Sequence, residues 1–274
     1  MRKALGHNWN TLLFVFSWVT LLALPAASQG RPEYAPVLRP GGTVTLRNVP
    51  PLPPPIDQLL IPHRGVLGSS GLTHADPVVQ STIPAPAVAT TAGLGFEGIG
   101  NGSYGYTVRA APPDTNGTPG GPYTDASGLH SGQYVEWVNV AFAVFDKDSG
   151  VLLYGPAAGN TIWQGSGLND CEQTNDGDPI VQYDHFANVW VMTQLTYSLA
   201  PPYGLCIAVS QTPDARGTWN RYELQWSNTL PDYPKVSIWP DGYYMTFNLF
   251  FGEFLFVGAQ VCALDRNAAA SAAN

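Results

Sequence analysis

The chain has 274 residues, of which 29 are glycine and 25 are proline, and only 12% are charged. This composition excludes helical bundles and coiled coils, which need Ala, Glu, Lys and Leu at helical spacing, and it favours short strands joined by Gly/Pro turns. A net charge of −8 with only 12 Lys and Arg residues leaves binding to nucleic acid without an electrostatic basis.

The N-terminus has the pattern of a secretory signal peptide. Arg2 and Lys3 precede the apolar run Leu12–Leu24, and small residues follow up to Ser28. A membrane anchor is the alternative, but it needs about 20 apolar residues and this run is shorter. We therefore expect residues 1–28 to be removed and the mature protein to be secreted or extracytoplasmic, at the cell surface or in the periplasm, without a transmembrane segment.

Residues 29–95 are predicted to be a Pro/Gly-rich linker that is largely irregular. Eight prolines lie between residues 32 and 55, and proline lacks the N–H that strands and helices need. Six glycines follow within Gly93–Gly105, with Phe96 and Ile99 as isolated apolar residues.

Residues 96–274 carry the folded part, in which three stretches share one order of strand-like segments. Each segment is rich in Val, Ile, Tyr, Trp and Phe and is bounded by Asp, Asn, Gly or Pro. The segments are 134–139, 141–150 and 151–154, then 178–184, 189–194, 206–210 and 218–224, and finally 232–239, 243–248 and 257–266. Asp114 could open the first stretch, with an insertion at 119–131.

Such repeats predict an all-β fold, and within it a partial β-propeller of about three four-stranded blades. A β-sandwich whose hairpins are similar by coincidence is the alternative. The strand patterns at Trp137, Trp190 and Trp239 favour indole rings that pack between blades over rings that stack on sugars.

The segment Ser210–Trp219 resembles a degenerate Asp-box, the Ser-x-Asp-x-Gly-x-Thr-Trp turn of sialidase-like propellers, with a longer spacing to Asp214. A wider set of segments is similar to those of secreted bacterial β-propeller proteins without an assigned activity. These segments are PPDTNG (112–117), YVEWVN (134–139), FAVFDK (142–147), NDGDPIVQYD (175–184), RYE (221–223), DYPK (232–235) and WPDGYY (239–244). The resemblance implies a propeller and export, but it does not imply a particular reaction.

The last repeat ends in an Ala/Ser/Asn-rich stretch, Asn267–Asn274, where the earlier repeats continue into another strand. Propellers close with four to eight blades, so about three blades leave open edges. We expect either that the chain is the N-terminal fragment of a longer protein or that identical chains associate through these open propeller edges.

Export places the cysteines in an oxidising compartment. Cys171 precedes one pair of strands and Cys206 begins the next, so a disulfide between them is the preferred pairing. Cys262 is then left over, either buried and free or in need of a partner.

Acidic residues recur where the inner strands of the blades are predicted to begin: Asp114, Asp176, Asp178 and Asp232. Inner strands line the channel of a propeller, so these carboxylates are the candidate ligand or metal site. They could hold Ca²⁺, which takes six to eight oxygen ligands, or bind a polar or cationic ligand. The alternative is that each Asp caps its own turn.

No catalytic residues can be assigned, and the sequence does not decide whether the protein is an enzyme. Glycoside hydrolysis needs a pair of carboxyl groups, and no spacing marks such a pair among the acidic residues. The prediction is a secreted or cell-surface propeller module for binding or scaffolding, with a glycan or a cell-surface protein as partner. The alternative is an extracellular carbohydrate-active enzyme, a sialidase-like glycosidase whose site is completed by further blades; a non-functional truncated product is the third reading.

Overall fold

The computed structural model describes residues 35–53, 93–107, 112–197 and 201–270. The predicted signal peptide, 1–28, and most of the predicted linker lie outside the described residues. Contacts group the described residues into one compact unit. None of the helices in this part of the chain is long and apolar enough to cross a membrane.

The fold is all-β, which confirms the predicted class. The described residues form fourteen strands: β1 (Val37–Thr45), β2 (Asn116–Pro119), β3 (Tyr123–Asp125), β4 (Gly128–His130), β5 (Gln133–Val138), β6 (Ala141–Asp146), β7 (Leu152–Ala158), β8 (Ile180–Asp184), β9 (Val189–Thr196), β10 (Tyr203–Ser210), β11 (Thr218–Trp226), β12 (Thr229–Ile238), β13 (Gly242–Phe251) and β14 (Leu255–Asp265). Two five-residue helices accompany them, α1 (Asn169–Gln173) and α2 (Arg266–Ala270).

Three larger sheets contain most of these strands, and all their pairings are antiparallel. The first sheet has the order β2-β5-β6-β7, the second β1-β11-β10-β9-β8, and the third β12-β13-β14. A small β3-β4 hairpin lies within the predicted insertion at 119–131. None of the three sheets closes on itself.

The second sheet lies between the other two, which explains why its central strands are apolar on both faces. Every residue of β9 and β10 is buried. Side chains alternate along a strand, so Trp190 and Met192 pack toward the first sheet while Val189 and Val191 pack toward the third.

Residues 93–107 cover the other face of the first sheet. Ile99 and Tyr106 are buried against Val138, Ala143 and Phe145. The backbone N–H of Ile99 also donates to the carboxylate of Glu136 at 2.7 Å.

β1 lies within residues 29–95, and the prediction of a largely irregular linker did not anticipate it. It pairs with β11 at the edge of the second sheet. Gly41 allows the close approach, because a Cβ there would lie 2.8 Å from Leu168 Cδ1. Pro40 fits an edge strand, where one side of the backbone needs no partner.

Two of the three tryptophans predicted to pack inside the fold are buried, and the third is not. Trp137 and Trp190 are fully buried, as their strand patterns predict. The prediction for Trp239 is wrong, because the residue lies in the turn between β12 and β13 and its side chain is 64% exposed.

Candidate functional site

Three strands, β2, β8 and β12, one from each of the three larger sheets, meet at one cleft. β2 contacts β8, and β8 contacts β12, so strands from all three sheets lie side by side. The cleft has a volume of about 240 Å³ and is lined by Asp114, Thr115, Asn116, Asp178, Pro179, Ile180, Tyr233, Pro234 and Lys235.

The same unusual backbone conformation recurs on each strand at this cleft. Asp114, Asp178 and Tyr233 have φ angles of 39°, 47° and 52°. Asp tolerates this left-handed region, whereas Tyr rarely adopts it. Tyr233 lies in a bulge of β12, where the register shifts between Asp232 and Lys235. Three such residues at one cleft concentrate backbone strain there, as functional sites often do.

Asp178 lies at the electrostatic centre of the cleft. Burial, and after it the charges of Asp232 and Asp114, raise the pKa of Asp178 to about 6, while Lys235 opposes them. Three of the four predicted acidic residues are therefore close enough to influence one another. Because its pKa is about 6, Asp178 changes its charge just below neutral pH.

Asp176, the fourth predicted residue, has a different role. Its carboxylate accepts a hydrogen bond from the backbone N–H of Tyr197, and burial raises the pKa of Asp176 to about 6. It is not among the residues that line the cleft. Asp176 therefore joins the segment before β8 to the end of β9 and does not line the cleft.

The acidic residues do not form an evident metal site. Among the described residues, no group of three or more His, Cys, Asp or Glu side chains is placed to hold a metal ion.

Sequence reasoning missed two residues of the cleft, Tyr233 and Lys235. The Lys235 ammonium lies 3.2 Å from the centre of the Tyr233 ring, a cation–π contact. Both residues lie in the segment DYPK (232–235), but the sequence pattern matches Asp232, and not Tyr233, to Asp178. In the structure the position equivalent to Asp178 in the third sheet is Tyr233, since each residue has a positive φ and precedes a proline.

Asn139 holds the segment before β2 at the cleft, and sequence reasoning did not identify it. Its side-chain amide donates to the carbonyl of Pro112 and, at 3.3 Å, to Asp114 Oδ2. These bonds fix the segment that leads into β2 and orient the carboxylate of Asp114.

A second cleft, of about 450 Å³, continues along the same inner strands. Asn116 borders both clefts, and His185, Phe186 and Ile238 lie at the far end of the second. The two clefts together follow β2 and β8 from one end to the other.

The Asp-box-like turn joins β10 to β11 away from this region. Asp214 accepts hydrogen bonds from Gln133 at 2.8 Å, from Arg47 at 2.8 Å and from the backbone of Arg216 at 2.9 Å. Trp219 Nε1 donates to the carbonyl of Ala215 at 2.8 Å. The turn thus stabilises the fold and offers no free catalytic group.

The predicted disulfide is confirmed. Cys171 of α1 is bonded to Cys206 of β10. Cys262 is free and half-buried, and burial raises the pKa of its thiol to about 11. The Cys262 thiol is therefore protonated and unreactive at neutral pH.

Comparisons of the chain with models of protein families, with curated proteins and with solved structures give no match.

Proposed function

We propose that the protein is a secreted or cell-surface binding module built on three blades of a β-propeller. Three antiparallel sheets stack in chain order, and the first strand of each touches that of the next. This is the order expected of consecutive blades around a channel. The signal-peptide pattern at residues 1–28 and the resemblance to sialidase-like propellers support the same reading.

The cleft between β2, β8 and β12 is the proposed binding site, and its ligand is a primary ammonium group. The observation that carries this proposal is that Asp114 and Asp178 line one concave site, with Asp232 close enough to Asp178 to raise its pKa. Carboxylates form charge-assisted hydrogen bonds with ammonium groups. The ring of Tyr233 already holds one cation, the Lys235 ammonium, on its face.

An amino sugar of a glycan and a lysine side chain of a cell-surface protein both supply such a group. Calorimetry with chitosan oligosaccharide, with its N-acetylated counterpart chitin oligosaccharide and with oligolysine separates these sources. We expect chitosan or oligolysine to bind and chitin to fail, because acetylation removes the charge. Equal binding of chitosan and chitin, or binding of none of the three probes, would contradict the proposal.

Asp178→Asn is the matching variant, since it keeps the size of the side chain and removes its charge. Loss of one charge-assisted hydrogen bond weakens binding at least tenfold, about 1.5 kcal/mol or more. Asp148→Asn is the control, because Asp148 is exposed in the turn between β6 and β7. Binding to the unsubstituted protein should also weaken below pH 6, where Asp178 takes up a proton.

A carbohydrate-active enzyme is the second candidate function, favoured by one observation. A carboxyl group whose pKa is raised beside another carboxylate is typical of the general acid of a glycosidase. Asp178 beside Asp232 has this pattern. The residues that line the cleft include no arginine, so a sialidase-type site for a sugar carboxylate is not supported. Turnover of a panel of glycosides that is lost in both Asp178→Asn and Asp232→Asn would identify this activity.

A further inference from the structure

β14 is the outer edge strand of the third sheet. β13 pairs with it from Leu255 to Asp265 on one side, with a register shift at Val257. On the other side, no strand of the described part of the chain pairs with it. An edge strand directs unpaired N–H and C=O groups outward and is a template for another strand.

The second sheet shows what occupies the equivalent position. β10 is its third strand from the inner edge, as β14 is in the third sheet. β10 pairs outward with β11, antiparallel, from Tyr203 to Ser210. The architecture therefore accepts an antiparallel strand beyond β14.

β14 lacks the charge and the proline that protect the other long edge, although its register with β13 also shifts, at Val257. The edge strand β1 carries Arg39 and Pro40 and has an irregular register between Gly41 and Val44. In contrast, the stretch from Phe254 to Leu264 contains no charged residue and no proline. Natural proteins use charge, proline and bulges to keep edges from pairing, and this stretch has neither of the first two, so β14 is open to a partner.

An apolar turn extends this edge. Phe254 is 86% exposed, and Leu255 and Phe256 beside it are also exposed. Glu253 holds the turn in place, because its buried carboxylate accepts hydrogen bonds from the hydroxyls of Tyr197 and Tyr203. A fixed, exposed group of large apolar side chains marks a contact surface.

We propose that β14 pairs with β14 of a second copy of this chain, antiparallel across a two-fold axis. The third sheets of the two copies, with three strands each, then form one sheet of six strands. Two copies of a strand that lie edge to edge across such an axis run antiparallel, as do all other pairings in the fold. The uncharged strand also allows contact between two molecules that each carry a net charge of −8.

A register centred on Ala259 satisfies these conditions. It places Phe254–Phe256 of one copy opposite Cys262–Leu264 of the other, so that each apolar turn meets uncharged residues. Asp265 then lies outside the paired stretch. The interface does not involve the cleft, and it holds whether or not the proposed ligand binds.

Light scattering of the full chain over a range of concentrations tests this pairing. We expect the mass to double with concentration for the unsubstituted protein. Val261→Lys should raise the dissociation constant about a hundredfold, because each copy brings a lysine into the interface. Val151→Lys is the matched control, since Val151 and Val261 are 58% and 68% exposed and Val151 lies beside the first sheet. A mass that stays monomeric, or a dimer that Val261→Lys leaves intact, would overturn the proposal.

A cross-link tests the register without relying on charge. In Ala259→Cys the two introduced thiols face each other across the axis, within the 4.4–6.8 Å between Cα atoms that a disulfide spans. We expect a covalent dimer under oxidising conditions, and none from Val151→Cys. A different outcome is a monomeric protein that sediments with phosphatidylcholine vesicles, while Phe254→Ser does not sediment with them. This outcome would assign the turn to a lipid surface and contradict the pairing.

Discussion

At the scale of single residues, Asp178 combines a strained backbone with a buried charge. Its φ of 47° is tolerated because Asp and Asn adopt the left-handed region more readily than other residues. Its pKa is raised to about 6 by burial and by Asp232 and Asp114. The residue therefore costs stability at neutral pH, which is expected of a group retained for binding.

The pH dependence of unfolding measures this cost. The unfolded chain releases the Asp178 proton near pH 4 and the folded chain near pH 6, so the folded state binds more protons between these values. Stability from this group therefore falls as the pH rises from about 4 to 6. Asp178→Asn should stabilise the protein at pH 8 by about 2 kcal/mol, and by much less at pH 4, in urea denaturation. Equal effects at both pH values would contradict the raised pKa.

At the scale of elements, one buried arginine attaches β1 to the second sheet. Arg221 of β11 is almost fully buried, and its guanidinium donates to five backbone carbonyls, those of Gly42, Thr43, Ile162, Gln164 and Gly165. Burial lowers the pKa of Arg221 to about 10, so the group stays charged at neutral pH. The resemblance that covers RYE (221–223) did not predict this role.

Replacement of Arg221 should release β1. Arg221→Met leaves these carbonyls without a donor, and we expect a loss of about 3 kcal/mol in the free energy of unfolding. Trypsin should then cleave faster after Arg39 and Arg47. Arg47→Met is the control, because Arg47 is half exposed in its ion pair with Asp214 and is expected to contribute under about 1 kcal/mol. Equal losses in the two variants would refute the role given to Arg221.

The strands of the three sheets could largely be predicted from the sequence, whereas β1 could not. β8, β9, β12 and β13 follow runs of Val, Ile, Tyr, Trp and Phe between turn residues, a local signal. β1 contains Pro40, Gly41 and Gly42, which locally disfavour a strand. Its conformation depends on distant residues, above all on Arg221 and Glu223 of β11, which no local pattern reveals.

At the scale of the whole molecule, the stacking order decides which apolar side chains are buried. The second sheet is covered on both faces, and the segment 93–107 covers the first. Within the described residues, no segment covers the outer face of the third sheet, where Tyr244 and Val261 are exposed. The exposed face and edge lie together at one end of the stack, which is where we place the second copy.

Trp190 and Trp239, which the sequence predicts to pack alike, test the stacking order. Trp190→Ala should cost about 3–5 kcal/mol, because Trp190 fills the core between the first and second sheets. Trp239→Ala should change the free energy of unfolding by under about 0.5 kcal/mol, since Trp239 is exposed. Thermal and urea denaturation of both variants provide the measurement. A large loss in Trp239→Ala would mean that its face is covered in solution.

The sequence by itself determined the all-β class, most strand positions and the Cys171–Cys206 pairing, because these depend on local patterns and on neighbouring segments. It also singled out Asp114, Asp178 and Asp232. Only the tertiary structure brought Asp114 and Asp178 to one cleft with Asp232 near them, placed Asp176 outside its lining and added Tyr233 and Lys235. The contact between β2 and β8 joins residues more than sixty positions apart in the chain, and its geometry depends on how whole sheets stack.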